Sequence, residues 1–226
     1  FVHGFYAISS YSQLSLAKSI DAVSAGWSRM TWDGTAAVLN TTEQGGNEYR
    51  IPSGYEEVAA GIAHLNLSVF MDGQELKELL ASENGRAQAV QQIVQELSRV
   101  YDKTGGNPYE GVTIDFEGLR ASQKEAFSDF LRQLQAALQK LDKQLFVCVP
   151  PVLTSSAYYD GYDCQVIGEL ADKVILMAYG YGPQNMDGFT GTEYYKTAAT
   201  TPIASVYTAL KYAVSEIAPS KLLLGF

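Results

Sequence analysis

Short apolar runs alternate with amphipathic segments along the whole chain, and this alternation is typical of repeated βα units around a parallel sheet. The runs predict seven strands, with boundaries accurate to a few residues. These strands cover residues 2–9, 28–32, 67–72, 111–117, 145–152, 174–179 and 222–226. No linker-like segment interrupts the pattern, so we expect residues 1–226 to form a single domain.

Two of the intervening segments carry apolar residues at three- and four-residue spacing, which predicts helices that pack against the outside of the sheet. The first stripe is Val90, Ile93, Val94, Leu97 and Val100, and the second is Phe127, Phe130, Leu131, Leu134, Leu138 and Leu141. After the second strand, Gly45-Gly46-Asn47 separates two segments, residues 36–39 and 48–51. This arrangement predicts a β-hairpin at one end of the sheet.

Parallel strands with helical connections in this number indicate an α/β fold of the (β/α)8 barrel type in which one unit is missing. The chain stops within an apolar run at residues 222–226. A seven-stranded sheet would leave two long apolar edges unpaired. We therefore expect the chain to be truncated at its C-terminus, with an eighth βα unit following in the parent protein.

The fourth predicted strand departs from the apolar pattern of a buried parallel strand. Its alternate residues form two sets. The polar set is Thr113, Asp115 and Glu117, and the apolar set is Val112, Ile114 and Phe116. If the apolar set meets the helices, the polar set points into the barrel. Glu117 then lies highest, toward the carboxyl-terminal rim where barrels of this type assemble their active sites.

Asp115 and Glu117 are close enough on one strand face to interact. Partial burial and a like charge raise the pKa of one of such a pair, which is what a general acid at neutral pH needs. An alternative is that both acids pair with Arg or Lys, or that Glu117 only caps a helix starting near Arg120. Unpaired acids are rare inside parallel sheets, so a chemical role is favoured.

Residues 110–117, Glu-Gly-Val-Thr-Ile-Asp-Phe-Glu, resemble the Asp-Gly-x-Asp-x-Asp-x-Glu signature of glycoside hydrolase family 18. The resemblance extends to Gly4-Phe5-Tyr6 on the first strand, Met177-Ala178-Tyr179 on the sixth and Lys221-Leu222-Leu223-Leu224-Gly225 on the seventh. It therefore covers nearly the whole chain. The sequence is most similar to a bacterial branch that contains spore-cortex and other cell-wall N-acetylglucosaminidases.

The resemblance implies a retaining mechanism in which the 2-acetamido oxygen of the substrate attacks the anomeric carbon. In that scheme Glu117 is the acid/base, Asp115 orients the acetamido group, and the Tyr179 hydroxyl bonds the acetamido oxygen. Two positions depart from the family. Thr113 replaces the inner Asp, although its hydroxyl can still hydrogen-bond Asp115, and Gly180 stands where the family often has an acidic residue.

Further residues are candidates for contact with the sugar. The expected substrate-binding residues are Phe5, Trp32, Thr113, Met177 and Tyr181. For Trp32 and Tyr181, ordinary packing at the rim is the alternative. Trp27 is expected to pack in the barrel wall, and a cluster of tyrosines after the fifth strand suggests either stacking or loop packing. That cluster is Tyr158, Tyr159 and Tyr162.

Composition narrows the class of partner. The net charge is −9 and no Lys/Arg cluster is present, which argues against nucleic acid or an anionic membrane. No apolar run approaches the roughly 20 residues of a membrane span. His3 and His64 lack metal-ligand spacing, as do Cys148 and Cys164, so we expect no metal and no other cofactor. Both cysteines are expected to be free and structural.

We therefore expect a monomeric glycosidase that acts on an N-acetylglucosamine-containing polysaccharide, either peptidoglycan or chitin. The 15 tyrosines suit such a substrate, because Tyr can both stack on sugar rings and hydrogen-bond their hydroxyls. The resemblance implies a bacterial protein that is secreted or associated with the cell wall or spore. The alternative is a non-catalytic carbohydrate-binding protein on the same barrel, which the retention of Glu117 disfavours.

Overall fold

The fold is an incomplete (β/α)8 barrel, as the sequence predicts. A computed structural model describes residues 1–13, 18–41, 49–103, 105–153, 159–181, 187–197, 199 and 201–226. Within these residues, seven parallel strands with helices outside them form the sheet, and one additional short strand pairs antiparallel with the second of them. Among these residues, no helix is both long and apolar enough to cross a membrane.

The described part of the chain contains the following elements. The strands are β1 (His3–Ala7), β2 (Ala22–Trp32), β3 (Ala37–Asn40), β4 (Leu65–Met71), β5 (Gly111–Phe116), β6 (Gln144–Val149), β7 (Lys173–Met177) and β8 (Leu222–Gly225). The α-helices are α1 (Tyr55–Gly61), α2 (Gly73–Ala81), α3 (Glu83–Ser98), α4 (Lys124–Gln139), α5 (Cys164–Leu170), α6 (Glu193–Thr197) and α7 (Ile203–Glu216). Short 3-10 helices lie at Ile8–Gln13, Ala121–Gln123 and Asp187–Phe189.

The parallel strands follow the order β1-β2-β4-β5-β6-β7-β8, so β5 lies in the middle of the sheet. Among the described residues, β1 and β8 form its two edges and do not pair with each other. The longest strand, β2, begins at Ala22 rather than at the predicted Ser28. Its first half is rich in small residues, so the apolar run there is weak. The register with β4 also shifts between Ala25 and Ser28.

The hairpin after β2 forms around an earlier turn than the glycine pair suggests. Strand β3 pairs antiparallel with β2, from Trp32 opposite Ala37 to Arg29 opposite Asn40. The turn is closed by the Asp33 carboxylate, whose Oδ1 accepts hydrogen bonds from the backbone N–H groups of residues 35 and 36 at 2.8 Å each. Residues 45–47, on which the predicted turn rests, lie outside the described residues.

The outer face of β5 packs against α4. Phe116 is 1% exposed, and its ring stacks on Phe130 with ring centroids 5.2 Å apart. The predicted stripe on α4 is buried apart from Leu141, which is half-buried against the same core. On α3 the prediction is wrong at Val100, which is 68% exposed because the helix ends at Ser98. This packing leaves the inner face of β5 to form the site.

Candidate active site

The end of β5 is held by contacts on both sides. The Glu117 backbone N–H donates to the Met71 carbonyl on β4 at 2.9 Å, and the Tyr162 hydroxyl donates to the Phe116 carbonyl at 2.7 Å. Gly118 then turns the chain with φ of +74°, a conformation that favours glycine. Tyr162 is buried, so this member of the predicted tyrosine cluster packs rather than stacks on a ligand; Tyr158 lies outside the described residues.

Asp115 points inward from near the carboxyl end of β5. Phe70 of β4 is its register partner, and Cys148 of β6 lies beside it because Val147 pairs with the preceding Ile114. The Cys148 thiol donates a hydrogen bond to the carboxyl group, whereas the buried Oδ1 has no hydrogen-bond partner among the described residues. One acceptor oxygen of the carboxyl is therefore buried without a donor from the described part of the protein.

Burial is the main cause of the raised pKa of Asp115, and the nearby charge of Glu117 adds to it. The pKa rises to about 7, although the thiol hydrogen bond opposes the shift. Burial also raises the pKa of Glu117, with a smaller contribution from the charge of Asp72. The predicted interaction between the two acids is therefore present, and the pKa values of both are raised.

The structural alternatives for these acids do not fit the described residues. Neither Asp115 nor Glu117 forms an ion pair with Lys or Arg there. Glu117 does not cap a helix either, since Arg120 is at the N-cap position of the 3-10 helix Ala121–Gln123 and Gln123 is at that of α4. A half-buried carboxyl that holds its proton to higher pH suits proton donation to a leaving group.

Tyr179 lies just beyond β7, and its side chain is 45% exposed. Burial raises the pKa of its hydroxyl to about 12, and the neighbouring Cys148, Asp115 and Glu117 contribute. The hydroxyl therefore stays protonated at neutral pH and can donate a hydrogen bond near both acids. Gly180 follows with φ of +68°, so the left-handed turn itself favours glycine at this position.

Thr113 is fully buried one layer below Asp115, and its expected hydrogen bond to Asp115 is absent. Its Oγ1 lies 2.6 Å from the Ser24 hydroxyl and accepts from the Asn66 amide at 3.2 Å. His3 Nε2 lies 2.8 Å from the same Ser24 hydroxyl, and His64 Nε2 lies 2.9 Å from Asn66 Oδ1. These five residues form a polar floor beneath Asp115. The Thr113 hydroxyl is engaged in hydrogen bonds of this floor, and the hydrogen-bond partner of Asp115 is Cys148.

The other predicted sugar contacts are dispersed. Phe5, 47% exposed, and Tyr179 line a cleft of about 550 Å³ between β1 and β8. Met177 is half-buried against the small apolar cluster inside the barrel. Tyr181 is half-buried against the core outside the sheet, and its buried hydroxyl has no partner among the described residues. The structure therefore brings Phe5 to Tyr179 but not Tyr181 to the inner face.

Trp32 lies at the end of β2, as predicted, but its side chain packs in the core, which was the alternative to a sugar contact. Its side chain is only 6% exposed and belongs to the core between the sheet and the helices, because β3 folds back on the end of β2 and Ala37 pairs with Trp32. Trp27, in contrast, packs in the wall as predicted and donates a hydrogen bond to the Tyr109 hydroxyl at 2.9 Å.

The sequence interpretation missed a cluster beside Glu117. Arg29 of β2 forms a 2.7 Å ion pair with Asp72, the residue after β4. The guanidinium lies over the rings of Phe70 and Tyr49, at 5.0 and 6.0 Å from their centroids. Arg29 lies within the predicted second strand, and a charged residue inside a strand of a buried sheet is the signal that could have identified it.

Comparison with known proteins identifies the family. Residues 64–226 match the model of Glycosyl hydrolases family 18. A cortical fragment-lytic enzyme of Bacillus subtilis (strain 168) is 25% identical over 132 residues, which are 57% of this chain and 28% of that protein. The matched part of the chain thus corresponds to well under half of this relative.

Solved structures show the same fold. The chitinase of Chromobacterium violaceum ATCC 12472 has a TM-score of 0.73 and 19% identity, over 100% of this chain and 68% of that one. The spore cortex-lytic enzyme SleL of Bacillus megaterium QM B1551 has a TM-score of 0.74 and 20% identity, over 99% of this chain and 49% of that one.

The family match covers most of the chain, from before β4 to the end of β8, and includes Asp115, Glu117 and Tyr179. It confirms the family predicted from the signature on β5. The relatives also include enzymes of the predicted spore-cortex branch. The chain belongs to family 18 of the glycosyl hydrolases.

Proposed function

We propose that this chain is the catalytic domain of a retaining glycosidase that cleaves β-1,4 bonds of N-acetylglucosamine-containing glycans. The observation that carries the proposal is the pair of acids at the end of β5, Asp115 and Glu117. Both have a raised pKa, and neither forms an ion pair within the described residues. Tyr179 lies close enough for its hydroxyl to be influenced by both charges.

Glu117 acts as the general acid and base. Its carboxylic acid protonates the glycosidic oxygen as the bond to the anomeric carbon breaks, and the 2-acetamido oxygen of the same sugar attacks that carbon to form an oxazolinium ion. The Glu117 carboxylate then takes a proton from the incoming water, which opens the ring with net retention of configuration. No carboxylate of the protein is needed as a nucleophile.

Asp115 and Tyr179 act on the acetamido group. Asp115 accepts the acetamido N–H, and its negative charge stabilises the positive oxazolinium ion. The lack of a hydrogen-bond partner for its Oδ1 among the described residues supports this role. The hydroxyl of Tyr179 donates to the acetamido oxygen and aligns it for attack. Phe5, at the cleft beside Tyr179, contributes apolar contact with the sugar.

Spore-cortex peptidoglycan is the first substrate to test, because relatives of this chain are named for cortex lysis. Chitin is the second, because a chitinase shares the fold. On the same grounds we propose a bacterial protein that is secreted or associated with the cell wall or spore. We further propose that residues 1–226 act as one domain and as a monomer.

The test compares Glu117→Gln with the wild type on N-acetylglucosamine oligomers and on peptidoglycan, with hydrolysis and sugar binding measured separately. Loss of the proton donor should lower kcat by roughly 10²–10⁴-fold, while the Kd for the oligomer stays within about threefold because the amide keeps the shape of the carboxyl group. Glu125→Gln, an exposed site on α4, is the matched control. A binding loss as large as the rate loss would contradict the proposal.

A non-catalytic carbohydrate-binding protein is the second candidate. The observation that favours it is Thr113, which stands at the inner acid position of the family signature and is bonded to Ser24 and Asn66 rather than to Asp115. The same assay separates the two functions. Saturable binding of the oligomers with no hydrolysis by the wild type would favour the binding protein.

A further inference from the structure

Asp72 and Glu117 occupy equivalent positions at the ends of neighbouring strands. Met71 of β4 is the register partner of Phe116 of β5, so the next residue on each strand faces the other. The Glu117 backbone N–H to Met71 carbonyl bond, at 2.9 Å, fixes this arrangement. The Asp72 side chain is 49% exposed at the rim of the barrel. Its charge contributes to the raised pKa of Glu117.

Arg29 holds Asp72 from the other side. Its guanidinium donates to Asp72 Oδ1 at 2.7 Å, and the side chain is only 26% exposed. The rings of Phe70 and Tyr49 below it are nearly parallel, at 12°, with centroids 6.2 Å apart. Packing of a planar cation over aromatic rings limits its rotamers and adds to the ion pair. The position of the Asp72 carboxylate is thereby restricted.

Several titratable groups surround the Glu117 carboxyl, and of these the Asp72 charge contributes to its raised pKa. Asp72 faces it from the end of β4 and Asp115 lies two residues before it on β5. Three neutral groups complete the surroundings within the described residues, and these are Cys148 on β6, Tyr162 before α5 and Tyr179 after β7. Arg29, through its ion pair with Asp72, is the cation of this set.

We propose that Arg29 and Asp72 are a positioning pair that controls how firmly Glu117 retains its catalytic proton, an inference that rests on the proposed acid/base role of Glu117. The Asp72 carboxylate disfavours a second negative charge on Glu117 and so keeps the acid protonated. Arg29 fixes Asp72 in place and offsets part of its charge. Glu117 thereby retains its proton to a higher pH than an ordinary glutamic acid does, but can still release it during the base step.

The experiment measures the protonation of Glu117 directly, by carbon-13 NMR titration of the side-chain carboxyl in the whole 226-residue chain, with the signal assigned through Glu117→Gln. Asp72→Asn should lower the titration midpoint of Glu117 by roughly 0.5–1 pH unit, because a like charge is removed. Arg29→Gln should raise it by a similar amount, because the Asp72 charge is no longer offset. Arg29→Lys keeps the charge and should largely preserve the midpoint.

The double variant tests whether Arg29 acts through Asp72. If it does, the effect of Arg29→Gln in the Asp72→Asn background should fall to less than half of its effect in the wild type. Arg86→Gln breaks an ion pair of similar geometry, 2.9 Å to Asp129 between α3 and α4, and is the control for general charge loss. It should leave the Glu117 midpoint unchanged.

The inference is overturned if Asp72→Asn leaves the midpoint in place or raises it, or if Arg29→Gln acts equally in both backgrounds. Should Arg29→Gln fail to fold, Asp72→Asn alone still decides the sign. The alkaline limb of the kcat/KM profile should move with the NMR midpoint. Shifted midpoints without hydrolysis by any variant would uphold the pair and refute the proposed function, whereas hydrolysis with unmoved midpoints would refute the pair alone.

Discussion

The Asp115 carboxyl is buried on the inner face of β5, and this burial makes its ionisation unfavourable in the folded protein. Its pKa is raised from 3.8 to about 7. The unfolded chain therefore releases this proton near pH 4, whereas the folded chain keeps it to about pH 7. Folding takes up a proton in between, so the contribution of Asp115 to stability falls as pH rises through this window and is constant above it.

Asp115→Asn should remove this penalty. Above pH 7 the free energy of unfolding of the variant should exceed that of the wild type by about 1–3 kcal/mol, with little difference below pH 4. Urea unfolding at several pH values between about 3.5 and 8 measures the difference, because this range includes the pKa of Asp115 in both the unfolded and the folded chain. A variant that is less stable than the wild type at pH 8 would show that the carboxylate is stabilised in the fold. Turnover should fall strongly in the same variant.

Cys148 should act on the same carboxyl in the opposite direction. Its thiol hydrogen bond favours the charged form of Asp115, so Cys148→Ala should raise the pKa of Asp115 further. Cys148→Ser retains a donor and should change the pKa less. NMR titration of the Asp115 side chain is the measurement, and a lower pKa in Cys148→Ala would exclude this role for the thiol.

At the residue scale, the sequence is informative where period-two alternation decides the outcome. Asp115 and Glu117 stand out because the opposite face of β5 is wholly apolar. Cys148 could not be assigned as the partner of Asp115, since the pairing depends on the register between β5 and β6. Thr113 lies on the same face of β5 as Asp115, so a hydrogen bond between them was expected. In the structure the Thr113 hydroxyl instead bonds Ser24 and Asn66, which belong to other strands.

At the scale of the elements, the spacing of β5 and β6 depends on Gly111. A Cβ at this position would lie 2.3 Å from the Gln144 carbonyl oxygen of the neighbouring strand. Gly111→Ala should therefore force the strands apart and destabilise the protein by roughly 1–3 kcal/mol, as overpacking does. A Cβ on Gly106 would meet nothing within 4 Å, so Gly106→Ala is the matched control.

Thermal and urea unfolding of the two variants compare the positions. Gly111→Ala should also lower turnover, because Asp115 and Glu117 follow on the same strand. Equal stability of Gly111→Ala and Gly106→Ala would mean that β5 and β6 adjust without cost, and it would remove this explanation for the glycine at the start of β5.

Prediction of the elements succeeded where apolar runs are long and failed where a turn or a neighbour decides. Apart from the start of β2, the strand positions follow from the apolar runs, and the α4 stripe follows from periodicity. The site of the hairpin turn depends on the Asp33 carboxylate bonding the backbone, a local interaction that the glycine pair obscured. The burial of Trp32 was not predicted for the same reason, because it depends on the pairing of β3 with the end of β2.

At the scale of the whole molecule, two buried groups have opposite effects on stability. Burial, with a contribution from His64, lowers the pKa of His3 from 6.5 to about 4. The unfolded chain therefore binds a proton here between these values that the folded chain does not, so the contribution of His3 to stability is lost as pH falls from 6.5 to 4. Asp115 has the opposite dependence over the same range.

The two contributions should largely cancel between pH 4 and 6.5. His3→Gln removes one of them while retaining a polar side chain beside Ser24. As pH rises from 4 to 6.5, the free energy of unfolding of the variant should fall. This fall should exceed that of the wild type by up to about 3 kcal/mol. Urea unfolding across this range measures the slopes, and parallel curves for variant and wild type would show that His3 is not buried in its neutral form.

The central claim is that Glu117 donates the proton to the leaving group, and leaving-group dependence tests it most directly. A chitobioside of 2,4-dinitrophenol needs no proton donor, whereas an N-acetylglucosamine leaving group does. In the first turnover, Glu117→Gln should release dinitrophenol within about tenfold of the wild-type rate but cleave the oligosaccharide roughly 10²–10⁴-fold more slowly. Equal impairment on both substrates, or none on either, would contradict the assignment.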